Sequence, residues 1–424
     1  MEQPGKSVLR VAICGGGIGG LSLAVFLSKN PAVDVKLYEA TGQFKEIGAG
    51  VMIWSRTWRI FEMMGLSDQF SKIAHAPPNG VGFDYRRSDQ PTEGFRFKLV
   101  EMPSQPTWYT IVGCIRFHRA QFLDVFVHNL PEGVANFGKR LSYYVRQQAR
   151  GPITLHFTDG STGECDILVG ADGIKSTVRE QMYHEYALSR RDDSFLKFAQ
   201  PVWTGITAYR GLIKVGDIPR GSDGSLHRTI KTPMMYCGKD KGDIVNVVTF
   251  ASEPEGHGKP FHGEWVTMCQ KQELLDCYAE WEPEVTQLLD LIETPSKWAI
   301  HHLQPLPFYH YCGVVLLGDS AHAMAPHQGA GAGQAIEDAF ILAGLLATHS
   351  HSNAHKLLDA YEAVRRPAAN HVLEGSYESG LMYEFNSKYG DDYTALADAI
   401  PRQWHWIDDT TVEEDLERAR KYIQ

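Results

Sequence analysis

The chain has 424 residues, of which 43% are apolar and 22% charged, a composition typical of globular proteins that argues against disorder. Its net charge of −10, without a long run of Lys or Arg, argues against a nucleic-acid surface. Seven cysteines without a CxxC pair indicate neither a disulfide framework nor a zinc site, and no stretch approaches the roughly 20 apolar residues of a membrane span. We therefore expect a cytoplasmic monomer or homodimer without a structural metal.

The chain begins with the pattern of a β-α-β unit. Residues 9–14 are apolar and β-branched and stop at a run of glycines, which predicts a buried parallel strand. Residues 18–29 have the helical spacing of apolar side chains, and residues 33–38 form a second strand. A right-handed crossover places these strands side by side, with the glycine turn at their carboxyl edge.

The glycine turn has the spacing Gly15-x-Gly17-x-x-Gly20, which is typical of dinucleotide-binding proteins. The first glycine makes the tight turn, the second lets backbone N–H groups approach a pyrophosphate, and the third permits close packing of helix and strand. Glu39 follows the second strand, where a carboxylate accepts hydrogen bonds from ribose hydroxyls and disfavours a 2′-phosphate. A glycine turn without a ligand is the alternative, but strand, helix and acid in register favour dinucleotide binding.

Later segments predict a second sheet inserted into this frame. Residues 153–157 alternate between apolar and polar before Asp159-Gly160, which predicts an antiparallel hairpin. Residues 203–250 are strand-rich, and we expect them to form a sheet that covers a ligand. The buried-strand pattern returns at 314–317, so the second sheet interrupts the nucleotide domain. Helices are predicted at 334–348, 357–389 and 411–423.

Three further motifs resemble those of FAD-dependent aromatic hydroxylases, and they occur in the order of that family. They are Leu168-Val-Gly-Ala-Asp172-Gly173 followed by Arg179, Gly318-Asp319 with the segment from Pro326 to Asp338, and Arg119 in His118-Arg119-Ala-x-x-Leu123. Together with the glycine turn they cover essentially the whole chain. The chain resembles single-component (group A) flavoprotein monooxygenases, and most of all salicylate hydroxylases and the related fungal polyketide hydroxylases that dearomatise phenols.

The resemblance implies FAD as the bound cofactor. The residues that it assigns to the flavin nucleotide are Gly15, Gly17, Gly20, Glu39, Gly50, Arg119, Asp172, Asp319, Gly329, Gly331 and Ala332. Asp319 ends a buried strand, where its carboxylate can accept from ribityl hydroxyls, and an N-cap role is the alternative. The glycines after Pro326 let backbone approach a planar ring and place a helix N-terminus beneath it, which stabilises negative charge on a reduced flavin. Asp172 and Arg179 can instead be a structural ion pair.

The fold class that follows is α/β, a Rossmann-type FAD-binding domain with an inserted β-sheet substrate domain and a helical C-terminus. We assign residues 1–75, 114–180 and 301–370 to the FAD-binding domain, 76–113 and 181–300 to the substrate domain, and 371–424 to the C-terminal helices. The resemblance implies that NADPH or NADH reduces the flavin from solution, without a second Rossmann fold. It also implies that O2 then forms a C4a-hydroperoxyflavin, which transfers OH to an electron-rich carbon of a small aromatic substrate.

Candidate substrate residues lie in the strand-rich segment. Arg210 can pair with a phenolate or carboxylate, because a guanidinium offers a fixed charge and two parallel donors. Related dearomatising hydroxylases hold the phenolate with an arginine and a tyrosine, which makes Arg210 and Tyr236 the catalytic candidates. The alternatives are an ion pair on the outer face of the sheet for Arg210 and a core position for Tyr236. Tyr209 should point away from Arg210 in a regular strand.

His301-His302 stands where relatives often have an Asp-Arg pair, and packed histidines are the simpler explanation.

We expect an NAD(P)H- and O2-dependent hydroxylase of a phenolic ring, with a resorcinol-type polyketide as the preferred substrate and a dearomatised quinol as its product. Decarboxylative hydroxylation of salicylate is the second hypothesis. A flavin oxidase or dehydrogenase without oxygen transfer and a non-catalytic flavoprotein are the alternatives from other functional classes.

Overall fold

The computed structural model describes residues 8–44, 50–75, 81–101, 114–146, 148, 151–220, 224–225, 227, 244–347 and 354–423. The strands are β1 (Leu9–Cys14), β2 (Val33–Tyr38), β3 (Gly50–Ile53), β4 (Val81–Arg87), β5 (Phe95–Glu101), β6 (Ile115–His118), β7 (Ala135–Asn136), β8 (Leu141–Arg146), β9 (Ile153–Phe157), β10 (Thr162–Cys165), β11 (Ile167–Gly170), β12 (Val202–Lys214), β13 (Ile244–Ser252), β14 (Val266–Met268), β15 (Ser296–His302), β16 (His310–Tyr311) and β17 (Val314–Leu316). The helices are α1 (Ile18–Leu27), α2 (Ser55–Met63), α3 (Ser67–Ser71), α4 (Arg119–His128), α5 (Thr177–Arg190), α6 (Lys271–Cys277), α7 (Pro283–Asp290), α8 (Asp319–His322), α9 (Gly331–Leu346), α10 (Ala354–Tyr383), α11 (Tyr393–Arg402) and α12 (Val412–Ile423).

A six-stranded sheet forms the centre of the nucleotide-binding part, in the order β16-β17-β11-β1-β2-β7. β1 pairs in parallel with β2 from Leu9 opposite Val33 to Cys14 opposite Tyr38, and its other edge pairs in parallel with β11. The predicted β-α-β unit is therefore confirmed. Because β1 is covered on both sides, its apolar side chains are buried and its carboxyl end is free to present the glycine turn.

Helices α1 and α9 pack together against this sheet. Nearly every residue of α1 is buried, which explains a sequence that is apolar on all faces instead of amphipathic. Both helices begin at the same edge of the sheet, since α1 follows β1 and α9 follows the segment after β17. This α/β arrangement with a helical C-terminus confirms the predicted fold class.

A four-stranded antiparallel sheet, in the order β13-β12-β15-β14, is inserted between β11 and β17 in the sequence. Its long central strand β12 pairs with β13 on one side and β15 on the other. The register to β15 shifts between Trp203 and Thr207, around Gly205, whose φ of 80° belongs to the left-handed region. The predicted hairpin at Asp159-Gly160 is also present, as β9 paired with β10.

The C-terminal part is helical as predicted, but its helix limits differ. Residues 357–389 were expected to be one helical region, whereas α10 ends at Tyr383 and a separate helix α11 follows. The domain limit drawn between 370 and 371 falls inside α10. Helix α9 begins at Gly331, three residues before the expected start, because the glycine segment itself forms its first turn. Within the described residues, none of the helices has the length and apolar character needed to cross a membrane.

Candidate active site

A cavity of about 680 Å³ lies where the carboxyl edge of the six-stranded sheet meets one face of the four-stranded sheet. This volume is within the range typical of small-molecule and cofactor sites. Backbone-rich segments form one wall, which we call the nucleotide wall: Cys14–Gly19, Tyr38–Ala40, Ala171–Gly173, Leu317–Asp319 and Gly329–Ala332. The other wall, the sheet wall, consists of Ala208, Arg210, Asn246, Val248, Phe250, Trp298 and Ile300.

The glycine turn has the geometry that a bound pyrophosphate requires. Gly15 has φ of 111°, and a Cβ there would lie 2.1 Å from the carbonyl oxygen of Ala171. A Cβ at Gly20 would lie 2.0 Å from the carbonyl oxygen of Gly15, so helix and turn approach too closely for a side chain. A Cβ at Gly17, by contrast, would meet nothing within 4 Å. Gly17 therefore keeps space open at the N-terminus of α1, where an anion is stabilised by the helix dipole.

Glu39 stands beside this turn, and its carboxylate is oriented by the chain itself. Oε2 accepts a hydrogen bond of 2.7 Å from the Gly16 N–H, and Oε1 accepts from the backbone and hydroxyl of Thr41 at 2.8 and 2.9 Å. Glu39 lines the cavity, and carboxylate oxygens can accept more than one hydrogen bond. The arrangement fits the predicted contact with ribose hydroxyls.

Gly50 and Arg119, which lie far from the glycine turn in the sequence, also line the cavity. The antiparallel pairing of β3 with β6 places Gly50 opposite His118, the residue that precedes Arg119. Arg119 begins α4, so the strand pairing fixes the point from which its side chain extends. The two residues are separated by 69 positions in the chain, but the fold makes them neighbours.

Asp172 lines the cavity, whereas Arg179 does not form part of it. The Asp172 carboxylate accepts from the Ser176 hydroxyl and from the Val178 N–H, and burial raises the pKa of this carboxyl above its ordinary value. Arg179 is fully buried and donates to the carbonyl oxygens of Ala199, Ser320 and Ile174. Its hydrogen bonds thus join α5 to the Gly318-Asp319 segment, which is a structural role.

Asp319 is exposed on the cavity side of the turn that follows β17. The turn is held from behind, because the Gly318 N–H donates to the Asp338 carboxylate at 3.0 Å. Asp338 in turn accepts from Arg365 at 2.7 Å and contacts the ring of His322. Burial would raise the pKa of Asp338, but His322 and Arg365 beside it lower the pKa below its ordinary value.

This buried ion network continues away from the cavity. Arg365 also bonds Glu337 at 3.1 Å, and Glu337 accepts from Arg56 at 3.0 Å. Arg56 contacts Asp415 in α12, so the C-terminal helix is connected to the base of α9. The sequence alone predicted no role for the side chains of this network. The charged pair Glu337-Asp338 inside an otherwise apolar helix was the signal that something must neutralise it there.

The segment after Pro326 contributes the last part of the nucleotide wall. Gly329, Gly331 and Ala332 line it, and Gly331 is the first residue of α9. The early N–H groups of a helix have no intrahelical partner, so this end of α9 offers donors and partial positive charge to a ligand. With the open space at Gly17 and the exposed carboxylate of Asp319, the nucleotide wall fits a dinucleotide that carries a planar ring system.

Arg210 extends into the cavity from the middle of β12. Its Nε donates to the Asn246 amide oxygen at 3.1 Å, and Asn246 is almost fully buried on the neighbouring strand. Tyr209 points to the opposite face, where its hydroxyl donates to Glu273 at 3.0 Å. The alternation of faces along β12 explains why one member of the pair reaches the cavity. Tyr236, the other catalytic candidate, lies outside the described residues.

The histidines at 301 and 302 are packed and do not line the cavity. His301 stacks on Trp265 with ring centroids 3.6 Å apart, and His302 lies 3.2 Å from His257 between their Nε2 atoms. Burial lowers the pKa of His302 to about 4, and the neighbouring histidines add to this. Both histidines therefore have the packed positions that the sequence favoured.

His327 is a buried histidine for which the sequence predicted no specific role. It lies behind Phe250, with ring centroids 4.6 Å apart, and burial lowers its pKa to about 4. Both ring nitrogens lack a hydrogen-bond partner among the described residues. Two buried polar atoms without partners, one layer behind the cavity wall, are unusual in a folded protein.

Comparison with known proteins agrees with this geometry. Residues 8–196 and 275–376 match the family model described as FAD binding domain. The chain is 37% identical to a salicylate hydroxylase of Pseudomonas putida, over 98% of this chain and 95% of the relative. It is 33% identical to 6-methylsalicylate 1-monooxygenase of Aspergillus terreus, over 90% of this chain and 84% of the relative. A solved salicylate hydroxylase substrate complex aligns with a TM-score of 0.84 at 32% identity, covering 97% of this chain and 98% of that one.

Proposed function

This chain belongs to the FAD-binding family of aromatic monooxygenases of the salicylate hydroxylase type, and we propose that its substrate is a phenol with a substituent beside the hydroxyl group, attacked at the substituted carbon. The enzyme class and the FAD cofactor with NAD(P)H as co-substrate follow from the family. The identity of the ring and the position of attack are the proposal. The observation that carries it is Arg210, a cation oriented by Asn246 in an otherwise largely apolar sheet wall.

An ortho-hydroxybenzoate is the first candidate substrate. A guanidinium accepts a carboxylate through two parallel hydrogen bonds, and the interaction is strong where water is excluded. Trp298, Ile300, Val248 and Phe250 surround Arg210 with apolar surface, which holds the ring and keeps water away. The two relatives described above are named for salicylate and 6-methylsalicylate. Both of these compounds carry a carboxylate beside the phenolic hydroxyl group.

When bound, FAD would accept two electrons from NAD(P)H and pass them to O2. The residues of this chain contribute binding, orientation and electrostatics. Arg210 would hold the anionic edge of the substrate, and the N-terminus of α9 would stabilise negative charge on the ring of a reduced flavin. For a salicylate, the balanced reaction consumes NAD(P)H, O2 and two protons, and releases catechol, CO2, water and NAD(P)⁺.

A resorcinol-type polyketide is the second candidate, and the same wall accommodates it. Arg210 can pair with a phenolate as well as with a carboxylate. If the attacked carbon carries an alkyl group instead of a carboxylate, nothing leaves as CO2. The product is then a dearomatised quinol, formed with one NAD(P)H, one O2 and one proton.

The experiment that separates these candidates follows products from the purified holoenzyme. Salicylate labelled with ¹³C in its carboxyl group, 6-methylsalicylate and an alkyl-substituted resorcinol are each supplied with NAD(P)H and O2. We expect ¹³CO2 and catechol from salicylate in step with NAD(P)H oxidation. A product that gains one oxygen without loss of CO2 from the resorcinol identifies the second candidate. If none of these phenols yields an oxygenated product, the proposal is wrong.

A further inference from the structure

Three exposed large apolar side chains belong to the inserted sheet. Leu212 in β12 is 57% exposed, and Val266 and Met268 in β14 are 45% and 65% exposed. Single exposed hydrophobic residues are common on protein surfaces, whereas a contiguous apolar patch usually marks a binding site. The strand registers decide whether these three side chains, which we call the apolar patch, lie on one face.

The two residues of β14 lie on the face of the sheet that lines the cavity. Val266 is directly opposite Trp298, a residue of the sheet wall. Met268 is directly opposite Ser296, and Ser296 is opposite Arg210 on its other side. Side chains that are directly opposite on neighbouring strands point to the same face of a sheet. Val266 and Met268 therefore continue the sheet wall beyond the edge of the cavity.

Leu212 continues the same wall along β12. It lies two residues after Arg210, and side chains two residues apart in a strand point to the same face. Directly opposite Leu212 on β13 is Asn246, which lines the cavity. The apolar patch thus borders the cavity both along the strand of Arg210 and across the sheet from it.

Trp298 connects the cavity to the patch. Its Nε1 donates to the Ser296 hydroxyl at 2.9 Å, so the indole leans along β15 toward the row that joins Arg210 to Met268. The same residue lines the cavity, and Val266 lies beside it on β14. Because its N–H is already bonded within the sheet, the indole offers apolar surface to a ligand that crosses it.

We propose that the phenol hydroxylated by this enzyme carries a long apolar substituent, an alkyl chain or a second ring, which crosses Trp298 and binds the apolar patch. Neighbouring strands lie about 4.8 Å apart, so β14 is about 10 Å from β12. A single-ring acid held at Arg210 leaves the patch in water, whereas a substituent of roughly six carbons reaches it. This inference rests on the proposed function, since Arg210 holds the ring from which the substituent extends.

The test measures ligand binding to the oxidised holoenzyme without NAD(P)H, through the change in flavin absorbance. Salicylate is compared with hexylsalicylates that carry the chain at each free ring carbon, and with analogues whose chain of equal length consists of ethylene glycol units. Burial of one CH2 group strengthens binding up to about fourfold, so six carbons with one side in solvent should gain roughly tenfold. We expect this gain for at least one hexylsalicylate, and a Kd within about twofold of salicylate for its ethylene glycol analogue.

The double variant Val266→Ser, Met268→Ser removes apolar area without adding charge. It should reduce the gain of the hexyl chain to about threefold or less, and the Kd for salicylate should stay within about twofold of wild type. Met268→Leu should keep the gain, because the side chain stays apolar. Leu188→Ser is the matched control, since Leu188 is 77% exposed, belongs to α5 and does not line the cavity.

The outcomes separate this proposal from the proposed function. If salicylate binds but every hexylsalicylate binds no more tightly, the proposal is wrong. A gain that persists in the double variant also overturns it, because another surface then holds the chain. Sedimentation tests the other occupant: a wild-type dimer that the double variant splits means that the patch joins two copies of this chain, which overturns the proposal as well. If neither salicylate nor any derivative binds, the proposed function fails and this inference fails with it.

Discussion

The nucleotide wall of the cavity is built mainly from backbone, whereas the sheet wall is built from side chains. Gly15, Gly17 and the start of α9 act through N–H groups and through the absence of side chains. Arg210 and Asn246 act through functional groups placed by the alternation of two neighbouring strands. The nucleotide wall therefore depends on backbone conformation, whereas the sheet wall depends on the chemical groups of its side chains.

The two walls also differ in their support. Behind the nucleotide wall lies the buried ion network of Asp338, Arg365, Glu337 and Arg56. Behind the sheet wall lie packed apolar and aromatic residues, with the unpartnered ring of His327 among them. Substitutions in the first wall should change cofactor binding and stability, and those in the second should change substrate turnover.

The largest effect is expected for Gly17→Val. A Cβ at Gly17 meets no protein atom within 4 Å, so the apoprotein should fold, while the side chain occupies the space of the pyrophosphate. We expect FAD binding to weaken by roughly 1000-fold, about 4 kcal/mol, as measured by fluorescence titration of the apoprotein. Gly216→Val is the matched control, because Gly216 also has open space but does not line the cavity. If Gly17→Val kept normal FAD affinity, the glycine turn would not be part of the FAD-binding site.

Asp338→Asn tests the support of the nucleotide wall. The substitution leaves Arg365 buried without its full counter-charge, and breaking a buried ion pair costs about 3 kcal/mol or more. We expect the free energy of unfolding in urea to fall by about this amount, with a weaker hold on FAD. Glu417→Gln is the control, since its partner Arg420 lies on the surface and the change should stay within about 0.5 kcal/mol. Equal effects of the two substitutions would contradict the role assigned to the network.

Arg210→Ala tests the sheet wall. We expect kcat/KM for salicylate to fall roughly 100-fold, about 2–3 kcal/mol, with FAD content unchanged. Arg210→Lys should recover part of the loss, because it keeps the charge but not the two parallel donors. Arg220→Ala, an exposed arginine that does not line the cavity, serves as the control. Loss of FAD from Arg210→Ala would mean that the two walls are not separable.

The smallest effect concerns the buried histidines behind the sheet wall. Burial lowers the pKa of His327 and of His302 to about 4, below the value of about 6.5 for an exposed histidine. The unfolded chain therefore takes up protons between about pH 6.5 and about pH 4 while the folded chain does not, and stability falls as the pH falls through this window. His327→Gln should reduce the loss between pH 7.5 and pH 5 by about 2 kcal/mol at most. His405→Gln, an exposed position, should not change it.

The comparison of the walls explains which features the sequence made predictable. The glycine turn, Glu39 and the Gly318-Asp319 pair depend on local spacing next to a strand, so residues and fold were both predictable. The pairing that brings Gly50 to Arg119 depends on contacts between β3 and β6, which local spacing does not encode. The Asp338–Arg365 pair joins residues from two helices, and its charges in an apolar helix were visible but their partner was not.

The sheet wall was harder to predict because strand register decides it. The alternation of Tyr209 and Arg210 predicted that at most one of them faces the ligand, and the structure places Arg210 there. Asn246 and Trp298 come from strands 36 and 88 residues further along the chain, and nothing in their local sequence marks them as neighbours of Arg210. The stacking of His301 on Trp265 likewise requires the fold.

In the proposed reaction the two walls together direct oxygen to a substituted carbon of a phenol held by Arg210. The most direct measurement supplies ¹⁸O2, NAD(P)H and ¹³C-carboxyl salicylate to wild type and to Arg210→Ala with matched FAD content. We expect one ¹⁸O atom in the catechol and one ¹³CO2 for each NAD(P)H oxidised by wild type, and a roughly 100-fold slower formation of product by the variant. Product without ¹⁸O, or equal yields from both proteins, would contradict it.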